Sequence, residues 1–354
     1  MKQSDIIIRS IFRHIDKFYR PEEYPALNLQ WKEWEKTRPL NGKRILVATP
    51  LFTNTLIQYI PLLAAGAEIT VATNDKASLY DSSVVALLEE WGLPHVHNAV
   101  SGQYDCVLDC GGVHAMMDPE SGFAELTRSG YYHYAGQKKP VILVDDSRTK
   151  AIETCLGTGD GFLRAMKQIG YTDFNRKKVV VFGYGKVGRG IVFYLLREGA
   201  EITVIDEPET SVPDHVRLVS RYDFPALGEA IKVAWCIVTA TGVRNAMVGN
   251  GAAEILKNTD QLIAAMGVEN EWGDTLPPDR ILFRGRALNF LLDEPTRLRY
   301  IDPTMALLNA AALELTAKKL PAGIQKIDPA VEYHWRQAVE QNGLIADDLR
   351  ECGL

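Results

Sequence analysis

The chain has 354 residues, room for two domains of ordinary size, and carries 45 acidic against 39 basic side chains for a net charge of −6. No run of Lys and Arg concentrates positive charge, which excludes nucleic acid as the main partner, and no apolar stretch reaches the roughly 20 residues that cross a bilayer. The five cysteines, Cys106, Cys110, Cys155, Cys236 and Cys352, are scattered without a CxxC pair, so neither a disulfide framework nor a structural zinc site is expected.

In chain order, residues 1–20 read as an amphipathic helix capped near Ser4. Asp5, Arg9, Arg13, Asp16 and Lys17 interrupt the apolar core that a signal peptide would need, so a cytoplasmic location is expected. Residues 44–49 form a buried-strand pattern, and a helix closed by Gly66 leads to a second strand. Further strands are predicted at 106–108 and 140–144. His95 and His97 alternate as on a strand edge, with no third ligand nearby for a metal. The second half repeats the design, with a strand at 178–182 and a helix closed by Gly199. Residues 62–71 and 195–204 both end in Gly-Ala-Glu-Ile-Thr-Val. Strand, helix, strand at this spacing is a βαβ unit on a parallel sheet. Strands are then expected at 233–239, 261–266 and 281–283, before an Ala- and Leu-rich helical pattern over 302–320.

The two copies differ at the turn after the first strand. The first reads Ala48-Thr49-Pro50-Leu51-Phe52-Thr53-Asn54, without glycine; the second reads Gly183-Tyr184-Gly185-Lys186-Val187-Gly188. In that G-x-G-x-x-G turn the first glycine permits the tight bend, the second clears space for a pyrophosphate, and the third lets helix and strand pack closely. The helix start presents unpaired N–H groups to phosphate charge. Asp206, about twenty residues on at a strand end, suits the adenosine ribose hydroxyls and would repel a 2′-phosphate, so NAD is expected over NADP. Lys186 then reads as a solvated loop residue. The fold class is α/β, with two Rossmann-like doubly wound parallel-sheet domains. Residues 1–152 with about 305–354 form a substrate domain, and 153–304 the NAD-binding domain.

Four segments resemble the cofactor-binding half of S-adenosylhomocysteine hydrolase. They are Val144 through Lys150, Gly183 through Gly190, Thr239-Ala240-Thr241-Gly242, and Gly285-Arg286-Ala287-Leu288-Asn289. Asp302-Pro303-Thr304 and Asn309 fall at the start of the return helix, and Asp109-Cys110-Gly111-Gly112 and 125–130 can also be placed. The resemblance implies a reaction in which bound NAD oxidises a nucleoside 3′-hydroxyl. The ketone acidifies the 4′ hydrogen, the 5′ substituent is eliminated, water adds, and the retained NADH restores the hydroxyl. It implies that Lys150 is the 3′-oxidation base or its support. It also implies that Thr239, Thr241, Gly242 and Asn289 line the nicotinamide side, that Met266 and Gly267 bind the cofactor, and that Thr127 and Ser129 reach it from the substrate domain.

The same comparison implies losses. The family's early His falls near Leu51, its paired Asp on Cys110, its second Glu on Leu126 and its Asp-Asn pair on Thr154-Cys155. Its two later histidines fall on Val268 and Asp302. The family's Lys/Tyr-bearing tail has no counterpart in residues 349–354. A site built to hydrogen-bond a sugar and base discriminates by factors of about 10⁴ when partners are removed, so ordinary adenosine recognition is not expected to survive. Catalytic candidates are Lys150, Cys110, His114 and Asp109, with Glu269 and Glu271 as candidate readers of a different substrate; His133, among tyrosines, reads as packing. The expectation is an NAD-dependent enzyme acting on a small nucleoside-like substrate by transient oxidation and elimination, assembled as a homo-oligomer, with no nucleic acid or membrane partner. The alternatives are a genuine divergent S-adenosylhomocysteine hydrolase and a catalytically silent NAD-binding regulator.

Overall fold

A computed structural model describes residues 2–76 and 79–354. The chain divides into two compact units, Met1–Ile152 with Arg297–Leu354, and Glu153–Thr296. The return to the first unit comes at Arg297, ahead of residue 305. The twenty-residue helix Leu298–Ala317 starts there, and it is buried over most of its length within the first unit against the helix Pro25–Thr37.

In chain order the strands are β1 (Arg44–Val47), β2 (Glu68–Thr73), β3 (His95–His97), β4 (Cys106–Asp109), β5 (Gly122–Glu125) and β6 (Pro140–Leu143). They continue with β7 (Lys178–Phe182), β8 (Glu201–Asp206), β9 (Arg217–Ser220), β10 (Cys236–Thr239), β11 (Leu262–Ala265) and β12 (Gly323–Gln325). The first unit holds one sheet in the order β12-β6-β5-β4-β1-β2-β3, and the second holds β11-β10-β7-β8-β9. Every pairing is parallel. Such sheets are covered on both faces, which is why β4, β7 and β10 are short, almost continuously apolar runs. Each order reverses once, at β1/β4 and at β7/β10, and in open α/β sheets ligands bind beyond the strand ends at that reversal.

The sequence repeat is a structural repeat. Gly66 and Gly199 take left-handed φ of +87° and +79°. In one copy the N–H groups of Gly66 and Ala67 donate to the carbonyls of Leu63 and Leu62; in the other Gly199 and Ala200 donate to Leu196 and Leu195. Both helices are thus closed by the same two backward bonds, which a glycine at the left-handed position allows.

Two expectations are corrected. Residues 281–283 are not a strand: after Pro277–Pro278 the chain makes a tight turn over Leu282–Gly285, with Phe283 and Arg284 at φ +52° and +56°. The first helix, Gln3–Ile15, is preceded by Lys2 and not capped by Ser4; the Asp5 carboxylate accepts from the Lys2 N–H at 3.0 Å. Among the described residues no helix is long and apolar enough to cross a membrane.

Candidate functional site

In the second unit the glycine turn joins β7 to the helix Lys186–Arg197 at the point where the strand order reverses. Each glycine has a separate steric reason. Gly183 has φ +90°, and a Cβ on it would meet the Ala240 carbonyl at 2.7 Å. A Cβ on Gly188 would fall 1.9 Å from the Gly183 carbonyl oxygen, so this position enforces close packing. Gly185 has nothing within 4 Å of where its Cβ would be, which leaves the open approach a pyrophosphate needs. Asp206 closes β8, and its carboxylate accepts from the Tyr184 N–H, which ties the strand end to the glycine turn, and from the Glu207 N–H at 2.7 Å. A cleft of about 430 Å³ runs over these strand ends, lined among others by Gly183, Gly185, Asp206, Tyr222, Thr241 and Met247. That volume and this donor arrangement fit a dinucleotide. Lys186 is exposed at the start of the helix and Val187 is half-buried behind it.

The other side of the cleft is lined by the segment that follows β10, with the end of β11 beside it. Thr239 is fully buried, Thr241 and left-handed Gly242 (φ +66°) turn away from the end of β10, and Met266 and Gly267 follow β11. Of the two acids downstream, Glu269 is exposed and Glu271 is buried. The Glu271 Oε1 accepts from the Thr241 hydroxyl at 2.6 Å and from the Gly242 N–H at 2.5 Å. Asn289 is buried in the short turn Leu288–Leu291, and a Cβ on Gly161 would lie 2.9 Å from its Cβ.

The catalytic candidates all lie in the first unit, as do Thr127 and Ser129. Asp109 and Glu125 face each other in the β4–β5 register, both fully buried. The Asp109 carboxylate accepts from the His114 N–H and Nδ1, each at 2.9 Å, and from the Tyr134 hydroxyl at 2.7 Å. Nδ1 is thereby fixed as the donor, and Nε2 is left buried without a partner among the described residues. Glu125 accepts from the N–H groups of Gly111, Gly112 and Thr127 and from the Thr127 hydroxyl, which contacts Ser129 at 3.0 Å. Burial and the neighbouring Asp109 charge raise the Glu125 carboxyl above its ordinary range against the pull of those donors. Cys110, at the end of β4, lines a small crevice with Thr49, Pro50, Thr73, Asn74 and Tyr80. The crevice holds only about 10 Å³, room for one water, and the backbone bridge between Leu51 and Tyr80 lies beside it in the chain. His133 is exposed, though its Cβ packs within 2.5 Å of where a Gly112 side chain would begin.

Lys150 is 2% exposed on the short helix Arg148–Ala151 that follows β6. The Ser147 hydroxyl accepts the Lys150 N–H at 3.0 Å. Glu332, from the helix Pro329–Asn342, accepts the Thr149 N–H at 2.7 Å and its hydroxyl at 3.0 Å. No pattern in the sequence marks Glu332, because its partner is 183 residues away.

Asp302 is held by different chemistry. It is fully buried, and its two oxygens accept from the Ala26 and Leu27 N–H groups at 2.9 Å each, the first free donors of the helix Pro25–Thr37. Tyr24, at the cap position of that helix, makes no side-chain bond to it, so a residue from the return helix does the capping.

Residues 171–269 match the model of a family described as putative NAD(P)-binding. The adenosylhomocysteinase of Sulfurisphaera tokodaii is 28% identical, aligning over 68% of this chain and 63% of its own. That of Thermococcus kodakarensis is 29% identical over 62% and 58%. An S-inosyl-L-homocysteine hydrolase of Methanopyrus kandleri is 24% identical over 93% and 90%. The chain thus spans about three fifths of the length of the two adenosylhomocysteinases. In fold, it is similar to the crystal structure of a dipicolinate synthase chain from Bacillus halodurans, with a TM-score of 0.53 and 13% identity over 79% of this chain and all of that one. The second unit is an NAD-binding domain, and the chain is similar to adenosylhomocysteinases over about two thirds of its length.

Proposed function

We propose that the chain is an NAD-dependent enzyme that oxidises a sugar hydroxyl of a nucleoside-like substrate and then eliminates the 5′ substituent. The observation that carries this reading is Lys150, a buried lysine on a short helix beyond β6 whose backbone is fixed by the Ser147 hydroxyl and, through the neighbouring Thr149, by Glu332. A pure nucleotide binder has no use for that amine. NAD, when bound, supplies hydride acceptance and return. The chain's own groups do the rest. Lys150 Nζ takes the hydroxyl proton, and Thr241 and Asn289 orient the reacting half of the cofactor. Glu125 holds the Gly111–Gly112 turn beside Cys110, and Asp109 orients the His114 ring.

The substrate differs from adenosine linked to homocysteine in how its base is read. Asp302 is committed to capping a helix, and the crevice beside Cys110 is closed to all but a water-sized group. The alignment with the S-inosyl-L-homocysteine hydrolase along 93% of this chain supports a nucleoside thioether with an altered base as the first compound to try. The test is near-UV absorbance of the purified protein mixed with a panel of nucleosides and their 5′ thioethers. A compound-dependent NADH band that is lost in Lys150→Ala supports the reading. NAD-loaded protein that gives no band with any compound points to a silent regulator instead.

A further inference from the structure

The second unit contains a buried charge that its own hydrogen bonds only half satisfy. Glu271 is 1% exposed, and its backbone is pinned: its carbonyl accepts the Met247 N–H at 2.9 Å, and the next residue, Trp272, is buried in the core behind β10 and β11. Oε1 takes two donors, Thr241 and Gly242, while Oε2 is buried and has no partner among the described residues. A Cβ on Gly267 would fall 2.6 Å from Oε1, so the glycine after β11 is what lets the carboxylate in. An acid buried this way is costly unless an opposite charge or further donor meets it.

The fold states where such a charge would come from. The pyrophosphate belongs over the β7 turn and the adenosine ribose beside Asp206 on the β8 side, so the nicotinamide half must run the other way, over β10 and β11. Thr241 and Gly242 end β10, and Glu271 follows β11. The oxidised nicotinamide ring is cationic and the reduced ring is neutral. We propose that Glu271 is the fixed counter-charge for the oxidised nicotinamide, holding the Thr241–Gly242 turn through one oxygen and favouring NAD⁺ over NADH through the other. This rests on the second unit binding NAD and not on any assignment of substrate. In a reaction that must return its hydride, such a charge sets how readily the bound cofactor gives it up.

The test is equilibrium binding of NAD⁺, NADH and ADP-ribose to the full chain, wild type and Glu271→Gln. The glutamine can still accept from Thr241 and Gly242 but lacks the charge. NAD⁺ affinity is expected to fall about tenfold, with NADH and ADP-ribose changed by less than about twofold. Equal losses for all three ligands would make Glu271 only a strut of the turn and would overturn the proposal, as would no change. If the variant does not fold, the wild-type ratio decides: NAD⁺ binding more tightly than NADH supports the proposal, and the reverse overturns it. Wild-type protein that binds none of the three would refute the cofactor assignment itself and this inference with it.

Discussion

Replacing Asp302 removes the cap of a helix 275 residues away, and the size of the effect follows from the geometry. In Asp302→Ala two buried N–H groups lose their acceptors, each worth about 1–3 kcal/mol, partly offset by relief of a buried carboxylate. Asp302→Asn keeps one acceptor and sets an N–H₂ against the other donor, for a loss of roughly 1–3 kcal/mol. The pH dependence is more diagnostic. Burial pushes the Asp302 carboxyl up to about 7, outweighing the pull of its two donors, against an unfolded value of 3.8. A carboxyl raised in the folded state favours folding most below its unfolded pKa, and that contribution is lost as pH rises through the folded pKa. Between pH 5 and pH 8 the first unit should therefore lose roughly 2–3 kcal/mol through this group, and little more above pH 8. Urea unfolding at several pH values, wild type against Asp302→Asn, measures the loss. Wild type should show the slope and the asparagine variant should lack it. Identical slopes would show that Asp302 does not titrate in this window, and an alanine variant as stable as wild type would refute the capping role.

Other outcomes follow from the same geometry. Gly185→Ala should leave the melting temperature unchanged but weaken NAD binding by about tenfold or more, since its Cβ would enter the phosphate approach, whereas Gly188→Ala should unfold the second unit because of the 1.9 Å clash; calorimetry with and without NAD separates the two. Tyr134→Phe removes one of three donors to Asp109 and should cost about 1–2 kcal/mol in chemical denaturation with NAD affinity unchanged. Glu332→Ala frees the Thr149 amide and hydroxyl and should slow substrate-dependent NADH formation by about tenfold at constant NAD affinity, as expected when the support of a base moves but the cofactor site does not.

Much of this architecture can be read from local pattern. β7 matches its predicted span because a buried parallel strand is a plain β-branched run, and the glycine turn carries its own steric logic. β5 escapes such a reading: Gly122-Phe123-Ala124-Glu125 contains no β-branched residue, yet all four positions are buried as a central strand. β12 is three half-buried residues on a sheet edge, too short for any periodicity. The apolar residues at 281–283 imitate a strand, but the prolines before them and two left-handed residues turn the chain instead. In the site, what local pattern misses is long-range. Glu332 and Asp302 act on backbone donors far away in sequence, and nothing near Glu271 distinguishes it from exposed Glu269 until the fold buries one of them.

The central claim is transient oxidation of a sugar, and solvent exchange at carbon tests it most directly. The protein is incubated in D₂O with the nucleoside compound that raises an NADH band, and the recovered compound is examined by NMR. Deuterium at C4′ with wild type, and none with Lys150→Ala, is the predicted result, because a 3′-ketone acidifies that hydrogen and the unoxidised sugar does not. A wild-type NADH band without any C4′ exchange would contradict the account, leaving a simple dehydrogenase in its place.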